Sequence, residues 1–156
     1  MTADKRYQEA ALALAYNLDD AIKIGGNYTP LLQDGNHLYV SGQVPRVGEV
    51  VLITGAVGAG TSLAQAQLGA KICTLRALTL LQRTLGSLER IKTIPRITVY
   101  VQSAADFTQQ SEVADAASEL LHSILGTAGR HSRSAVGVLQ LPKNASVEID
   151  LIASIA

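Results

Sequence analysis

Residues 62–85 carry Leu68, Ile72, Leu75, Leu78, Leu81 and Leu85 at spacings of three and four, which lays one broad apolar stripe along a single long helix. Such a stripe must be buried, and the segments around it read as strands. Residues 29–33 and 38–41 alternate about the Asp34-Gly35-Asn36 turn, residues 50–53 follow Gly48, and residues 97–101 follow Pro95. Asp106 is the expected N-cap of a second long helix that runs to about Leu125 and ends at residues 126–129. Residues 4–18, rich in Ala and Leu, predict an N-terminal helix. Two apolar runs, 131–138 and 141–149, joined by Leu141-Pro142-Lys143-Asn144-Ala145, predict a C-terminal β-hairpin. The order predicts one α+β domain over 1–156, with two long helices on one face of a mixed sheet and an extra N-terminal helix.

Composition narrows the function classes. Only 17% of the residues are charged and 47% are apolar, with one Phe and no Trp, so the core is built from Ala, Leu, Ile and Val. So little surface charge implies that another subunit covers part of the surface. Thirteen basic and thirteen acidic residues cancel, which removes the electrostatic attraction on which sequence-independent nucleic-acid binding depends. Cys73 has no second cysteine to pair with and lies in the helical pattern, as expected for a buried, inert thiol in a reducing compartment. No secretory leader and no apolar run of about eighteen residues is present, so a cytoplasmic protein without membrane contact is expected.

Several candidate sites are weaker than they first look. Residues 55–62 have the outer glycines of a phosphate-binding loop, but Thr61 stands where the lysine is required, so a flexible turn with Ser62 as helix N-cap is expected instead. His37, His122, His131 and Cys73 share no metal-ligand spacing, and no metal or other cofactor is expected. Ser41-Gly42-Gln43 lacks a base or a nucleophile elbow and reads as hydrogen-bonding groups at the edge of a pocket.

Arg133 and Glu148 stand out as ions in small, apolar surroundings. They can form a salt bridge across the hairpin. Alternatively, the arginine fork can grip a small carboxylate while the glutamate orients or deprotonates a water. Alternation along the strand puts His131 on the same side as Arg133.

Three motifs carry a resemblance over residues 26–156. They are Gly26-Asn27-Tyr28 followed by residues 34–45 (DGNHLYVSGQVP); Val99-Tyr100-Val101 with Asp106-Phe107; and Arg133-Ser134 through Leu141-Pro142 to Val147-Glu148-Ile149. The sequence resembles the Rid (YjgF-type) family, which includes enamine and imine deaminases. The resemblance implies a chorismate-mutase-like fold and a homotrimer with pockets between neighbouring subunits. It implies that Arg133 grips the substrate carboxylate, Glu148 holds the hydrolytic water, Tyr28 lines the pocket, and Ser41 and Gly42 flank it. On this likeness, hydrolytic deamination of a small carboxylate-bearing enamine or imine is the first expectation. A non-catalytic carboxylate-binding or sensing trimer is the alternative, and an endoribonuclease the third. Ala135 replaces the family's usual cysteine, His131-Ser132 its frequent Pro-Ala, and Ser111 is the nearest candidate for its pocket asparagine. These departures resemble a divergent branch often labelled endoribonuclease.

Overall fold

The computed structural model of the chain describes residues 1–156. The leucine stripe forms α2 (Leu63–Leu85), whose first turn is closed by a capping box. Ser62 accepts from the Gln65 amide and the Gln65 side chain accepts from the Ser62 amide. Gly86, at φ 82, ends the helix in the left-handed conformation that glycine adopts without a Cβ clash. The two remaining helices are α1 (Ala3–Ala13) and α3 (Gln110–Leu125). Helix α1 lies against the other two through a Tyr7–Thr79 hydroxyl contact of 2.6 Å and a 2.7 Å bond from Arg6 Nε to the Ile124 carbonyl.

Strands β1 (Leu31–Asp34) and β2 (His37–Gln43) pair about the expected turn, and β3 (Arg46–Val47) and β4 (Val50–Val51) make a short separate ribbon. The main sheet is completed by β5 (Ile91–Gln102), β6 (Ser132–Val138) and β7 (Val147–Ile155) in the order β1-β2-β7-β5-β6. Its helix-facing side is a continuous apolar surface of Leu38, Val40, Ile97, Val99, Val101, Ile149 and Leu151, all buried against α2 and α3. The fold is therefore the expected α+β arrangement. No helix is long and apolar enough to cross a membrane.

The C-terminal hairpin does not form. Strand β5 lies between β6 and β7, pairing parallel with the first and antiparallel with the second. The β5-α3-β6 unit is a crossover through a helix, the connection that parallel neighbours require. The segment after β6 then passes over the end of β5, where the Gln102 side chain fastens it: Nε2 donates to Asn144 Oδ1 at 2.8 Å and Oε1 accepts from the Leu141 amide at 2.9 Å. Lys143 and Asn144 both adopt left-handed φ (56° and 59°) to make that passage.

Three boundaries differ from expectation for local reasons. Helix α1 ends at Ala13 rather than Leu18, because the amides of Ala15 and Tyr16 bond back to the carbonyls of Leu12 and Ala11 in a Schellman closure, with Ala15 at φ 51. That turn drops Tyr16 into the core. Helix α3 starts after Gln109, which makes no side-chain cap, and not after Asp106. Pro95 lies inside β5, at a shift in register against β7 between Thr93 and Arg96, where a residue without an N–H breaks no ladder.

Candidate active site

Glu148 is the second residue of β7 and faces away from the helices, because Val147 and Ile149 on either side are buried in the core. On the adjacent strand β2 the register slips between Val40 and Gln43, a bulge that brings Gly42 against the glutamate. A Cβ built on Gly42 would lie 2.8 Å from Glu148 Cδ and 2.9 Å from Oε2. The carboxylate thus occupies the space a side chain at position 42 would need. Both residues line a cavity of about 370 Å³, with Tyr28, Gln43, Arg46 and Arg76 among its other walls.

The Glu148 side chain makes no hydrogen bond and no ion pair with the rest of the chain. Burial, and then the nearby Asp150 carboxylate on the same face of β7, push its pKa up from the ordinary glutamate value. Asp150 is itself raised by burial, partly offset by the Tyr100 hydroxyl, which donates to its Oδ2 at 3.1 Å. An uncommitted carboxyl group whose pKa is shifted upward in a cavity is equipped to take a proton and give it back.

Arg133 belongs to a different neighbourhood. Its row on the sheet runs through Ile97 to Leu151, so its side chain points to the helix face at the outer edge, opposite to Glu148. There its terminal nitrogens are engaged by α3: Nη1 donates to Asp115 Oδ1 at 2.9 Å and Ser118 Oγ at 3.0 Å, and Nη2 donates to Ser111 Oγ at 2.9 Å and, at 3.5 Å, to the Ser111 carbonyl. The salt bridge across strands is therefore absent, and Arg133 is paired with Asp115 instead. His131 joins the same group. Its Nδ1 donates to the Gly129 carbonyl at 2.7 Å, which leaves Nε2 to accept from Ser118 at 2.8 Å. Burial lowers the His131 pKa, in keeping with that neutral tautomer.

Within one chain the structure thus gathers Glu148, Gly42 and Tyr28 in one cavity and Arg133, His131 and Ser111 at the far edge. Tyr28 is 48% exposed and also lines a second, open hollow with Ser41 and Asp150. Ser41 donates its hydroxyl to the Thr29 carbonyl at 2.8 Å, tying the Tyr28 segment to β2. Sequence reasoning missed Arg46 and Arg76. The signal for Arg76 was present, since it falls four residues after Ile72 on the buried stripe of a helix otherwise apolar there. Cys73, on the same helix, is fully buried, and burial drives its thiol pKa upward, so it is unreactive.

The family model described as "YjgF/chorismate_mutase-like, putative endoribonuclease" matches residues 8–155. Protein TCP17 of Trypanosoma cruzi is 39% identical over 140 residues, covering 89% of this chain and 88% of that protein. Among solved structures, the Agrobacterium tumefaciens protein Atu1372 superimposes with a TM-score of 0.87 at 36% identity, covering 99% of this chain and 94% of its own. A Shewanella oneidensis protein described as a "putative endoribonuclease" does so with a TM-score of 0.90 at 30% identity, covering 99% of this chain and 100% of its own.

Proposed function

The chain belongs to the YjgF/chorismate-mutase-like family, and from that premise we propose that it hydrolyses a small enamine or imine bearing a carboxylate, releasing ammonia and a 2-keto acid. The observation that carries this reading is the unpaired Glu148 carboxyl group against Gly42 in the cavity. An imine carbon is already electrophilic. The site needs only to hold the acid, limit bulk solvent and deliver one water. Glu148 accepts a proton as the water oxygen bonds to the imine carbon and passes it to nitrogen, giving a carbinolamine. The carbinolamine hydroxyl then yields its proton through the same carboxylate to nitrogen as the carbon–nitrogen bond breaks, so both protons of the water leave with ammonia and its oxygen becomes the keto oxygen. No other co-reactant enters the balance.

In this reading the site is completed between copies, with Arg133 of a neighbouring subunit facing the Glu148 cavity and its carboxylate-gripping role requiring release of Asp115 or use of the free Nε–H. Support comes from the helix-free face of the sheet, where Leu32, Tyr39 and Val136 are 57%, 43% and 42% exposed. An apolar face of that kind is covered in an oligomer. Sedimentation is expected to give three times the chain's 16.4 kDa, with dilution unfolding the protein rather than yielding compact single subunits. A folded monomer at micromolar concentration would remove the shared site.

The direct test of the activity is ammonia release from freshly generated 2-imino acids, which is expected to exceed the spontaneous rate in proportion to protein concentration. One observation favours a second, binding-only reading: every terminal N–H of Arg133 already has an acceptor in its own chain. Under that reading 2-keto acids bind and the imine decays at its spontaneous rate.

A further inference from the structure

We propose that Arg46 and Arg76 form an anion receptor in the wall of the Glu148 cavity, taking a carboxylate or phosphoryl group of a ligand whose other end lies at Glu148. Four basic residues, Lys23, Arg46, Arg76 and Lys143, line this cavity against a single acid, Glu148. In a chain with no net charge, that is a local concentration of positive charge. Lys23 is paired with Glu49, but Arg46, Arg76 and Lys143 have no ion-pair partner, Glu148 included.

The two guanidinium groups differ in an informative way. Arg76, 3% exposed, is oriented by protein acceptors, with Nε donating to Gln43 Oε1 at 3.2 Å and Nη1 to the Arg46 carbonyl at 2.9 Å. All of these acceptors are neutral, and burial lowers its pKa. Arg46 is 7% exposed, yet its side chain bonds to nothing in the chain, and its Nε–H is shut off from solvent without an acceptor. A buried charge is normally paired, and a buried donor normally has a partner. An anionic ligand group in the cavity satisfies both guanidinium groups at once, and the planar fork of arginine suits a carboxylate or a phosphate equally. The receptor rests on the reading that the Glu148 cavity is the ligand site, but not on turnover there. It makes the ligand an acid with a charged group on the Glu148 subunit, in addition to any carboxylate held by Arg133 of a neighbour.

Calorimetric titration with inorganic phosphate and with succinate, at matched ionic strength, tests this on the parent protein, Arg46→Gln and Glu148→Gln. At least one anion is expected to bind the parent with a Kd of about 1 mM or tighter. Arg46→Gln is expected to weaken it by roughly tenfold or more, since it removes the charge and the fork. Glu148→Gln is expected to bind as well as the parent or better, because a repelling charge has gone. Tighter phosphate than succinate identifies a phosphoryl group, and the reverse a carboxylate. Failure of both anions to bind the parent, or equal binding by Arg46→Gln, overturns the receptor. Should Arg46→Gln not fold, Arg46→Lys, which keeps the charge and loses the fork, answers the same question. Anion binding without ammonia release from any imine leaves the receptor standing and removes the deaminase reading. Ammonia release without anion binding does the opposite.

Discussion

Glu148→Gln is expected to lower imine hydrolysis by about a hundredfold or more while 2-keto acid binding persists, since proton transfer by a positioned carboxylate is worth two to four powers of ten. The substitution keeps shape and hydrogen bonding and removes only the charge. In the parent, turnover should rise with pH as Glu148 ionises, above the usual carboxylate range because burial and Asp150 raise its pKa. The glutamine variant should lose that limb. Stability moves the other way. A carboxyl group whose pKa is raised by folding contributes stability below its unfolded pKa and loses it as pH climbs through the folded value. The variant should therefore melt at or above the parent's temperature at neutral pH. A structural ion pair would make the opposite prediction, but Glu148 has no cation partner to lose. Turnover, keto-acid affinity and melting temperature measured on one preparation check all three, and unchanged turnover discards the catalytic role.

Gly42→Ala should cost nearly as much without replacing an ionisable group. Its Cβ would meet Glu148 Cγ at 3.1 Å and Cδ at 2.8 Å, so the carboxylate has to move while the backbone need not. A displacement of about 1 Å at a reacting group can cost on the order of a hundredfold. We expect turnover to fall ten- to a hundredfold, with little change in melting temperature. The two substitutions should not add, because both act through one carboxylate. A Gly42→Ala protein as active as the parent would show that Glu148 does not need its present position.

What the sequence made legible was local. The stripe of α2, its Ser62 N-cap and the β1-β2 turn each announce themselves within a few residues. The end of α1 did not, because the left-handed closing residue is Ala15 rather than glycine and the force behind it is the burial of Tyr16. The hairpin failed for a deeper reason: two strand-like runs joined by a turn look the same whether they pair or admit a third strand between them. His131 and Arg133 do meet at Ser118, although β6 begins only at Ser132 and strand alternation does not reach His131, and nothing in the pattern showed that this side is opposite to Glu148. Motif likeness singled out Glu148, Gly42 and Tyr28, which do share a cavity. Arg46 and Arg76 lie on separate elements, and only the fold brings them to one wall.

The sheet order has a consequence in time. Strand β7 joins β2 on one side to β5 on the other, with Leu38 opposite Ala153 and Val99 opposite Ile149. It is made after both of them. While the chain is being synthesised, β1-β2 and β5-α3-β6 have no hydrogen-bonded seam between them, and each presents the unpaired backbone edge that β7 will fill. Folding to the complete sheet must wait for residues 147–155 to leave the ribosome, and those same residues bring Glu148 with them. The cavity and its carboxylate come into being in the same event, so a chain stalled before that point has neither the complete sheet nor Glu148.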